Sequence, residues 1–453
     1  MRIGCRLELF IRPVALYMYP CIGIEICISL CYNHLKGYKA CRGSKGERMA
    51  HTIREPEKQL NVSAECDVLV CGGGIAGIAA ALAAARRGAK TILLEREYLL
   101  GGLATLGLVT IYLPLCDGKG HQVSFGITEE LLRLSVSRGI WEENRYPKAW
   151  LESGTDEERI AQRFEAQYNP LLFASDAEKL LLDTGVKILY GTLAADTVTE
   201  DGHIKAVIIE NKSGRSAVAV KNVIDTTGDA DVCARSGADC VNFGQGNILA
   251  AWYYRFSEGE GVRLKMLGYA DIPEDEKKAG ETRTYLDRRR FGGLDAEEIT
   301  DFTVMMHQKA VTDVMQYRKD HAGAVPVTFP TIPQFRMTRR IAGISTPDSK
   351  PTHQFVPDSI GMIGDWRKRG PVFELPYSCL YGEKIRNLIT AGRNISVTDS
   401  MWDITRVIQA CALTGQAAGT AAAYGYDFAD VNVGKLQKQL CSDGVKLHCE
   451  EVI

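Results

Sequence analysis

No charge of either sign dominates this sequence. Its 54 Lys and Arg against 56 Asp and Glu leave a formal charge of −2, which gives no electrostatic ground for holding nucleic acid or an anionic membrane surface. No two cysteines stand at C-x-x-C spacing. Five of the 14 (Cys5, Cys21, Cys27, Cys31 and Cys41) fall in the first 41 residues, and the other nine are scattered. This pattern argues against a zinc site, an iron–sulfur cluster and a redox dithiol, and leaves free, mostly buried thiols in a reducing cytosol.

The first 48 residues also lack any clean span of about 20 apolar residues. Leu7 to Tyr32 is apolar-rich, but Arg12, Pro13, Pro20 and Glu25 interrupt it. It has no compact apolar core followed by a small-residue cleavage site, and no twin-arginine pair. Cys31 after Ile-Ser-Leu has the outline of a lipidation signal, yet Glu25 sits inside what would be its apolar core. Residues 1–63 therefore read as a poorly structured leader outside the mature protein, with Met49 as a start; a membrane-associated leader is the alternative. The fold is expected from near Glu65, in a cytoplasmic protein.

What is present begins at Asp67, with DVLVCGGGIAGIAAALAAARRGAKTILLERE. Val68 to Cys71 read as a short buried strand, Ile75 to Arg87 as an Ala-rich helix ended by Gly88, and Thr91 to Leu94 as a second strand. Gly72, Gly74 and Gly77 form G-x-G-x-x-G between strand and helix: the first permits the tight turn, the second lets backbone approach a pyrophosphate, the third lets helix and strand pack closely. The helix N-terminus offers N–H groups and partial positive charge to phosphates. Glu95 stands about 20 residues beyond the glycines, where a carboxylate takes ribose hydroxyls. Strand, helix, second strand and acid in register point to a dinucleotide site.

The 453 residues allow two or three domains, or one core with a large insertion. In LLGGLATLGLVTIYLP, Gly101 and Gly102 can bring backbone close to a flat ligand, which makes a flavin-facing loop. Helices are expected over Gly126–Gly139 and Asn169–Gly185, then strand VKILYG, β-like runs Ile204–Glu210 and Ser216–Val220, and a buried strand Val223–Thr226 ending in Thr227-Gly228-Asp229. Beyond 240 come a charged solvated helix (Glu274–Arg290) and helices from Ala296–Ile299 onward and over Val304–Arg318. FPTIPQFRMTRRIAGI brings Arg336, Arg339 and Arg340 close together, either to hold a carboxylate substrate in bidentate fashion or to make salt bridges at a domain junction. Leu388–Ala391 is a strand followed by Gly392-Arg393-Asn394. Ile404–Tyr424 reads as one long helix whose Gly415, Ala418 and Gly419 suit close approach of a backbone or a flat cofactor, and VNVGKLQKQLCSDGV reads as a terminal surface helix.

The segments ECDVLVCGGGIAGIAAALAAARRGAKTILLERE, LLGGLAT, VIDTTGDADV, PQFRMTRRIAG and LITAGRNISVTDSMWDITRVIQACALTGQAAGTAAA resemble the bacterial FAD-dependent oxidoreductase family. That family is related to glutathione-reductase-type flavoproteins and, more distantly, to fumarate reductase flavoprotein subunits. The resemblance spans roughly residues 64–445. It implies that Gly72, Gly74, Ile75, Ala76 and Gly77 hold the FAD pyrophosphate, that Glu95 and Arg96 flank the adenosine ribose, and that backbone near Ala194 takes the adenine. Gly101, Gly102, Ala104 and Thr105 would border the flavin. Thr227, Gly228 and Asp229 match a second strand-end motif, and Gly392, Arg393 and Asp399 match the motif before the last helix. That helix would point its positive end at the flavin N1–C2=O edge, stabilising the reduced anion.

Departures are equally informative. No cysteine pair follows Gly101-Gly102, no second dinucleotide fingerprint is found, and Leu103 to Gly107 hold no histidine for covalent flavin attachment. The implied protein is α/β: a Rossmann-like FAD-binding domain (64–130, 171–240 and 376–430) interrupted by a mixed α+β substrate or cap domain (131–170 and 241–375), with a C-terminal helix and tail (431–453). Its expected reaction is hydride transfer between non-covalent FAD and a small organic substrate, a carboxylic acid among the options, in a site without metal. Arg339, Arg340 and Arg406 are the candidate substrate anchors; His121 and His353 are acid–base candidates that also read as structural. The alternatives are a flavoprotein that passes electrons to a partner protein and a non-redox, dinucleotide-consuming synthase. The expected partner is a small molecule, with an electron-transfer partner or a second copy of the chain as further options, and neither nucleic acid nor membrane.

Overall fold

Val68 and Val70 enter one apolar cluster and Leu69 and Cys71 the other, so the first strand, β1 (Val62–Cys71), is covered on both faces. Burial on both faces is what a continuous apolar run, rather than an alternating one, encodes in a parallel sheet. The computed structural model describes residues 53–139, 145–268, 286–425 and 427–453, so residues 1–52 of the expected leader (1–63) and the segment 274–285 lie outside the described residues, and β1 begins at Val62, inside the stretch read as leader. The chain divides after Lys58. Of the first unit only residues 53–58 are described, without helix or strand; everything below concerns Gln59–Ile453.

After β1 come helix α1 (Ile75–Arg86) and strand β2 (Thr91–Leu94). Helices α2 (Ile127–Val136) and α3 (Pro170–Asp183) follow, the latter capped by Asn169, whose side chain accepts from the N–H groups of Leu171 and Leu172. Then come β3 (Lys187–Leu189), β4 (Leu193–Glu200), β5 (His203–Asn211), β6 (Gly214–Asp225) and helix α4 (Asp231–Ser236). The sheet runs β3-β2-β1-β6-β5-β4. The first four strands are parallel, and β4, β5 and β6 form an antiparallel meander. The runs 216–220 and 223–226 are one strand: β6 pairs with β5 along its first half and, near its end, with a later strand.

Helix α5 (Ala296–Tyr317) is continuous where two helices were expected; Asp295 caps it through the Glu298 N–H. Phe302 and Met306 bury it against Phe291 and Phe335. Ala310 and Val314 meet Tyr253 of a three-stranded antiparallel sheet (253–257, 261–265, 325–328). Residues 286–290, the end of the expected charged helix, carry no helix. The later strand, β7 (Leu388–Thr390), pairs parallel with β6. Helices α6 (Asp399–Thr405), α7 (Ile408–Ala422) and α8 (Val433–Ser442) complete the unit.

Helices α1 and α7 cross in close contact. A Cβ on Gly415 would lie 2.3 Å from the Ala76 carbonyl oxygen, and one on Gly419 would lie 2.1 Å from that of Ala80, so the small face expected of this helix is a backbone-to-backbone contact. Two stretches read into the cap domain pack here as well: α2 lies against α3 and α7, and the hairpin 359–364/372–376 sends Ile360, Ile363, Phe373 and Leu375 into the same core. Among the described residues no helix is long and apolar enough to cross a membrane.

Candidate active site

The parallel strands end at one level: Leu94 pairs with Cys71, and Asp225 with both Cys71 and Thr390. Beyond these ends lies a cavity of about 690 Å³, the position where open α/β sheets bind ligands. The glycine turn is its floor. Gly72 has φ +110°, and a Cβ there would lie 2.5 Å from the Thr226 carbonyl oxygen. A Cβ on Gly77 would lie 1.9 Å from the Gly72 oxygen, whereas one on Gly74 would meet nothing within 4 Å because it would enter the cavity. Gly74 caps α1 without any side chain, so the first amides of that helix have no intrahelical partner and face the side where Ile75 and Ala76 line the cavity.

Glu95 is buried at the end of β2 and reaches the same wall. Its Oε2 accepts from the Gly73 N–H at 2.7 Å and its Oε1 from the Glu97 N–H at 2.8 Å. Burial pushes this carboxyl above its ordinary range, with the two backbone donors opposing. Each oxygen keeps a lone pair for a further donor such as a ribose hydroxyl. Arg96 and Ala194 stand beside it. Gly101 and Gly102 have φ of +103° and +54°, and the Gly101 N–H donates to the Gly73 oxygen at 2.8 Å, which seats this loop on the glycine turn. Ala104 also lines the cavity, but Thr105 does not; it is buried behind the loop, where its hydroxyl donates to the Leu100 oxygen at 2.6 Å.

At the end of β6 the fully buried Asp225 organises the second motif. Its Oδ1 accepts from the Thr227 N–H and hydroxyl at 3.0 and 2.7 Å, and its Oδ2 from the Cys233 N–H at 2.9 Å. Thr227 and Gly228 thereby reach the cavity, while Asp229 turns away and takes the Arg393 guanidinium at 2.6 Å. Arg393 also donates to the Gly228 oxygen at 2.7 Å and to the Phe335 oxygen. Gly392, Arg393 and Arg406 line the cavity; Asp399, in the first turn of α6, does not.

The single helix expected over 404–424 is two. α6 ends at Thr405, Arg406 closes it, and Val407 at φ −82°, ψ 162° starts α7 without a side-chain cap. Val407, Ile408 and Cys411 line the cavity, so this break brings a second uncapped helix N-terminus to the ligand. Two positive helix ends, an open glycine cradle and a buried acid fit a diphosphate dinucleotide.

The model of the family described as FAD dependent oxidoreductase matches residues 67–249 and 250–440. The chain belongs to that family. It is an enzyme, and its cofactor is FAD. Over 186 residues (37% of this chain, 58% of the relative) it is 31% identical to thiamine thiazole synthase of Methanococcus vannielii. Over 66 residues (15% of this chain, 10% of the relative) it is 39% identical to 4-oxocyclohex-2-ene-1-carboxylate 5-dehydrogenase of Sinomonas cyclohexanicum. The chain thus spans 58% and 10% of the length of these two relatives. Among solved structures, a geranylgeranyl bacteriochlorophyll reductase-like protein of Thermoplasma acidophilum aligns at 14% identity over 85% of this chain and 93% of that one, with a TM-score of 0.42.

The flavoenzyme's arginines divide by which wall holds them. Arg339 lies off the cavity, its Nε donating to the Asp229 oxygen at 2.9 Å and its Nη2 to Asp231 at 2.8 Å. Arg340 points to the other side of the short strand 339–341, buried with its guanidinium 5.4 Å from the Trp402 ring. Of the expected anchors only Arg406 lines the cavity: alternation along the strand turns the other two toward the sheet domain and the α6 helix. Arg336, the third arginine of the run expected either to hold a carboxylate or to make salt bridges, does reach the cavity. His121 and His353 sit on loops outside the cavity, the former 2.9 Å from Asp117 and the latter 3.3 Å from the Thr352 hydroxyl. Cys71 and Cys411 reach the wall, but burial pushes both thiols up, Cys411 to about 12, so they stay protonated near neutral pH.

Proposed function

We propose that this enzyme exchanges a hydride between non-covalently bound FAD and a small organic substrate entering the apolar end of the cavity. The observation that carries the reading is the pair of uncapped helix N-termini, α1 and α7, opening on one cavity whose far wall is apolar and aromatic. Bound FAD supplies the two-electron chemistry at its flavin ring. The amides around Gly74 to Gly77 would hold the pyrophosphate, Glu95 the ribose and the backbone at Ala194 the adenine, while Gly101, Gly102 and Ala104 let backbone lie against the flat ring. The partial positive charge of α7 would favour negative charge on the ring edge nearest to it. Arg393 keeps the Gly228 turn closed through Asp229. Arg406, fixed by Asp403 at 2.9 Å, holds N–H donors at the substrate end. The absence of histidine from 103–107 and the protonated cavity thiols support non-covalent attachment.

The test is the visible spectrum of the purified full chain before and after acid precipitation. The expected result is a yellow protein whose FAD leaves with the supernatant. Colourless protein that takes up no added FAD would sink the reading, and flavin kept in the pellet would overturn its non-covalent part. The 31% identity to a thiamine thiazole synthase over 186 residues supports a second reading, a non-redox synthase of the same fold. Bound flavin that is reduced and reoxidised without loss would argue against that alternative.

A further inference from the structure

Helix α5 has two faces, and the packing of the unit uses one of them. Phe302, Met306, Ala310 and Val314 bury the inner face. On the outer face Val304, Val311 and Met315 stay 46, 44 and 53% exposed. Single exposed apolar residues are ordinary on any surface. These three, however, belong to one regular series: Glu297, Asp301, Val304, Gln308, Val311, Met315 and Arg318 follow one another at alternating steps of four and three, and all are exposed. Such steps make the seam of a coiled coil, in which alternate a and d positions face a partner helix. From Glu297 to Arg318 the seam runs about 32 Å. At solvent-facing helix positions intrinsic propensity decides, and valine is a weak choice there. A covering partner gives both valines a role; solvent gives them none.

The charges say which partner and which way round. The helix is acidic where it starts, at Asp295, Glu297, Glu298 and Asp301, and basic where it closes, with Arg318 and Lys319 against Asp320. Asp301 also takes Arg289 at 2.6 Å in an exposed pair, which leaves that end its Glu297. A parallel second copy would set Asp301 on Asp301 and Arg318 on Arg318. An antiparallel copy, about a two-fold axis midway between residues 309 and 310, sets Asp301 opposite Arg318, Val304 opposite Met315 and Gln308 opposite Val311. Each layer then brings an a position to a d position, with the apolar layers inside and opposite charges outside. A patch that complements itself about a two-fold axis is what an isologous dimer requires.

We propose that this face of α5 joins two copies of the chain in an antiparallel, two-fold pair, with Val304, Val311 and Met315 as its apolar centre. The pairing is independent of what the cavity binds.

The test is sedimentation equilibrium of the purified full chain over about 1–200 µM, a range suited to the weak association of an interface below roughly 1,200 Å². The expected result is a monomer–dimer equilibrium. Val311→Asp puts a carboxylate into the central layers and should raise the dimer Kd at least about tenfold, while the monomer keeps its fold because the position is exposed. Asp301→Arg and Arg318→Asp should each weaken the dimer, and the two together should restore it toward the parent Kd. These positions lie about 26 Å apart on one helix, so restoration reads a contact between copies and not the pair with Arg289. A chain that stays monomeric over the whole range, a dimer indifferent to Val311→Asp, or a double variant as weak as the single ones would each overturn the proposal.

Discussion

A methyl group on Gly74 and one on Gly77 would have different consequences, although both glycines belong to one fingerprint. Gly74 has φ −67° and ψ −178°, extended backbone that any residue adopts, and its Cβ would project into the cavity with nothing within 4 Å. Gly74→Ala should therefore leave the melting temperature of the apoprotein unchanged and weaken FAD binding, because the new methyl takes space that a pyrophosphate needs. At Gly77 the added Cβ would lie 1.9 Å from the Gly72 oxygen and 2.9 Å from the Thr226 hydroxyl. Gly77→Ala must separate helix from strand, so it should lose FAD and also destabilise the apoprotein by about 1–3 kcal/mol or more. Thermal melts of both apoproteins, set beside their flavin content, check this. Equal melting temperatures for the two would mean that Gly77 serves the ligand rather than the packing. The same distinction applies to the arginines: Arg336 and Arg406 meet the cavity, while Arg339 and Arg340, equally charged and three or four residues from Arg336, meet protein.

The break between α6 and α7 gives the elements their functional arrangement, and it is testable at Val407. That residue is the uncapped start of α7, a position where valine is among the poorest choices. Val407→Thr keeps the shape and adds a hydroxyl that can accept from the Ala410 N–H. The apoprotein should gain about 1 kcal/mol from the cap. FAD affinity should fall, because the hydroxyl competes for amides meant for the ligand. A higher melting temperature without weaker FAD binding would mean that these amides do not face the cofactor. Nothing local announced this break. ITRVIQACALTGQAAGTAAAYGY keeps its helical period through Arg406 and Val407, and at the end of α6 the Asp403 oxygen takes the indole of Trp366 from a distant segment while Arg406 folds back on the Asp403 carboxylate. The β1–α1–β2 unit, by contrast, was readable to within a few residues, because turn glycines, a helical Ala run and a following acid all lie within one short segment. Arg336 could not be told from its neighbours for the same reason as the break. Which arginine meets the cavity depends on strand 339–341 pairing with residues 240–242, about a hundred positions away, and sequence periodicity carries no information at that range.

At the scale of the whole unit, the cavity wall is assembled from segments between Cys71 and Cys411, including the ends of β1, β2 and β6, the 252–268 stretch, Arg336, Trp366 and the start of α7. A ligand that touches all of them stabilises them together, because binding to the folded form alone adds RT ln(1 + [L]/Kd) to the unfolding free energy. FAD at a hundred times its Kd should add about 2.7 kcal/mol. Spread over a unit of this size, that corresponds to a rise of roughly 3 °C in melting temperature. Two hydrogen bonds tie the 252–366 wall to the segments that would hold FAD, Gln334 on the Gly107 oxygen and the Trp366 indole on the Asp403 oxygen, so the transition should remain single as it moves. Calorimetric scans of the apoprotein across an FAD titration check this. A thermogram with two transitions, only one of them responding to FAD, would mean that the aromatic wall folds apart from the cofactor site. The substrate end would then be a separate body closing over the flavin rather than a wall built with it.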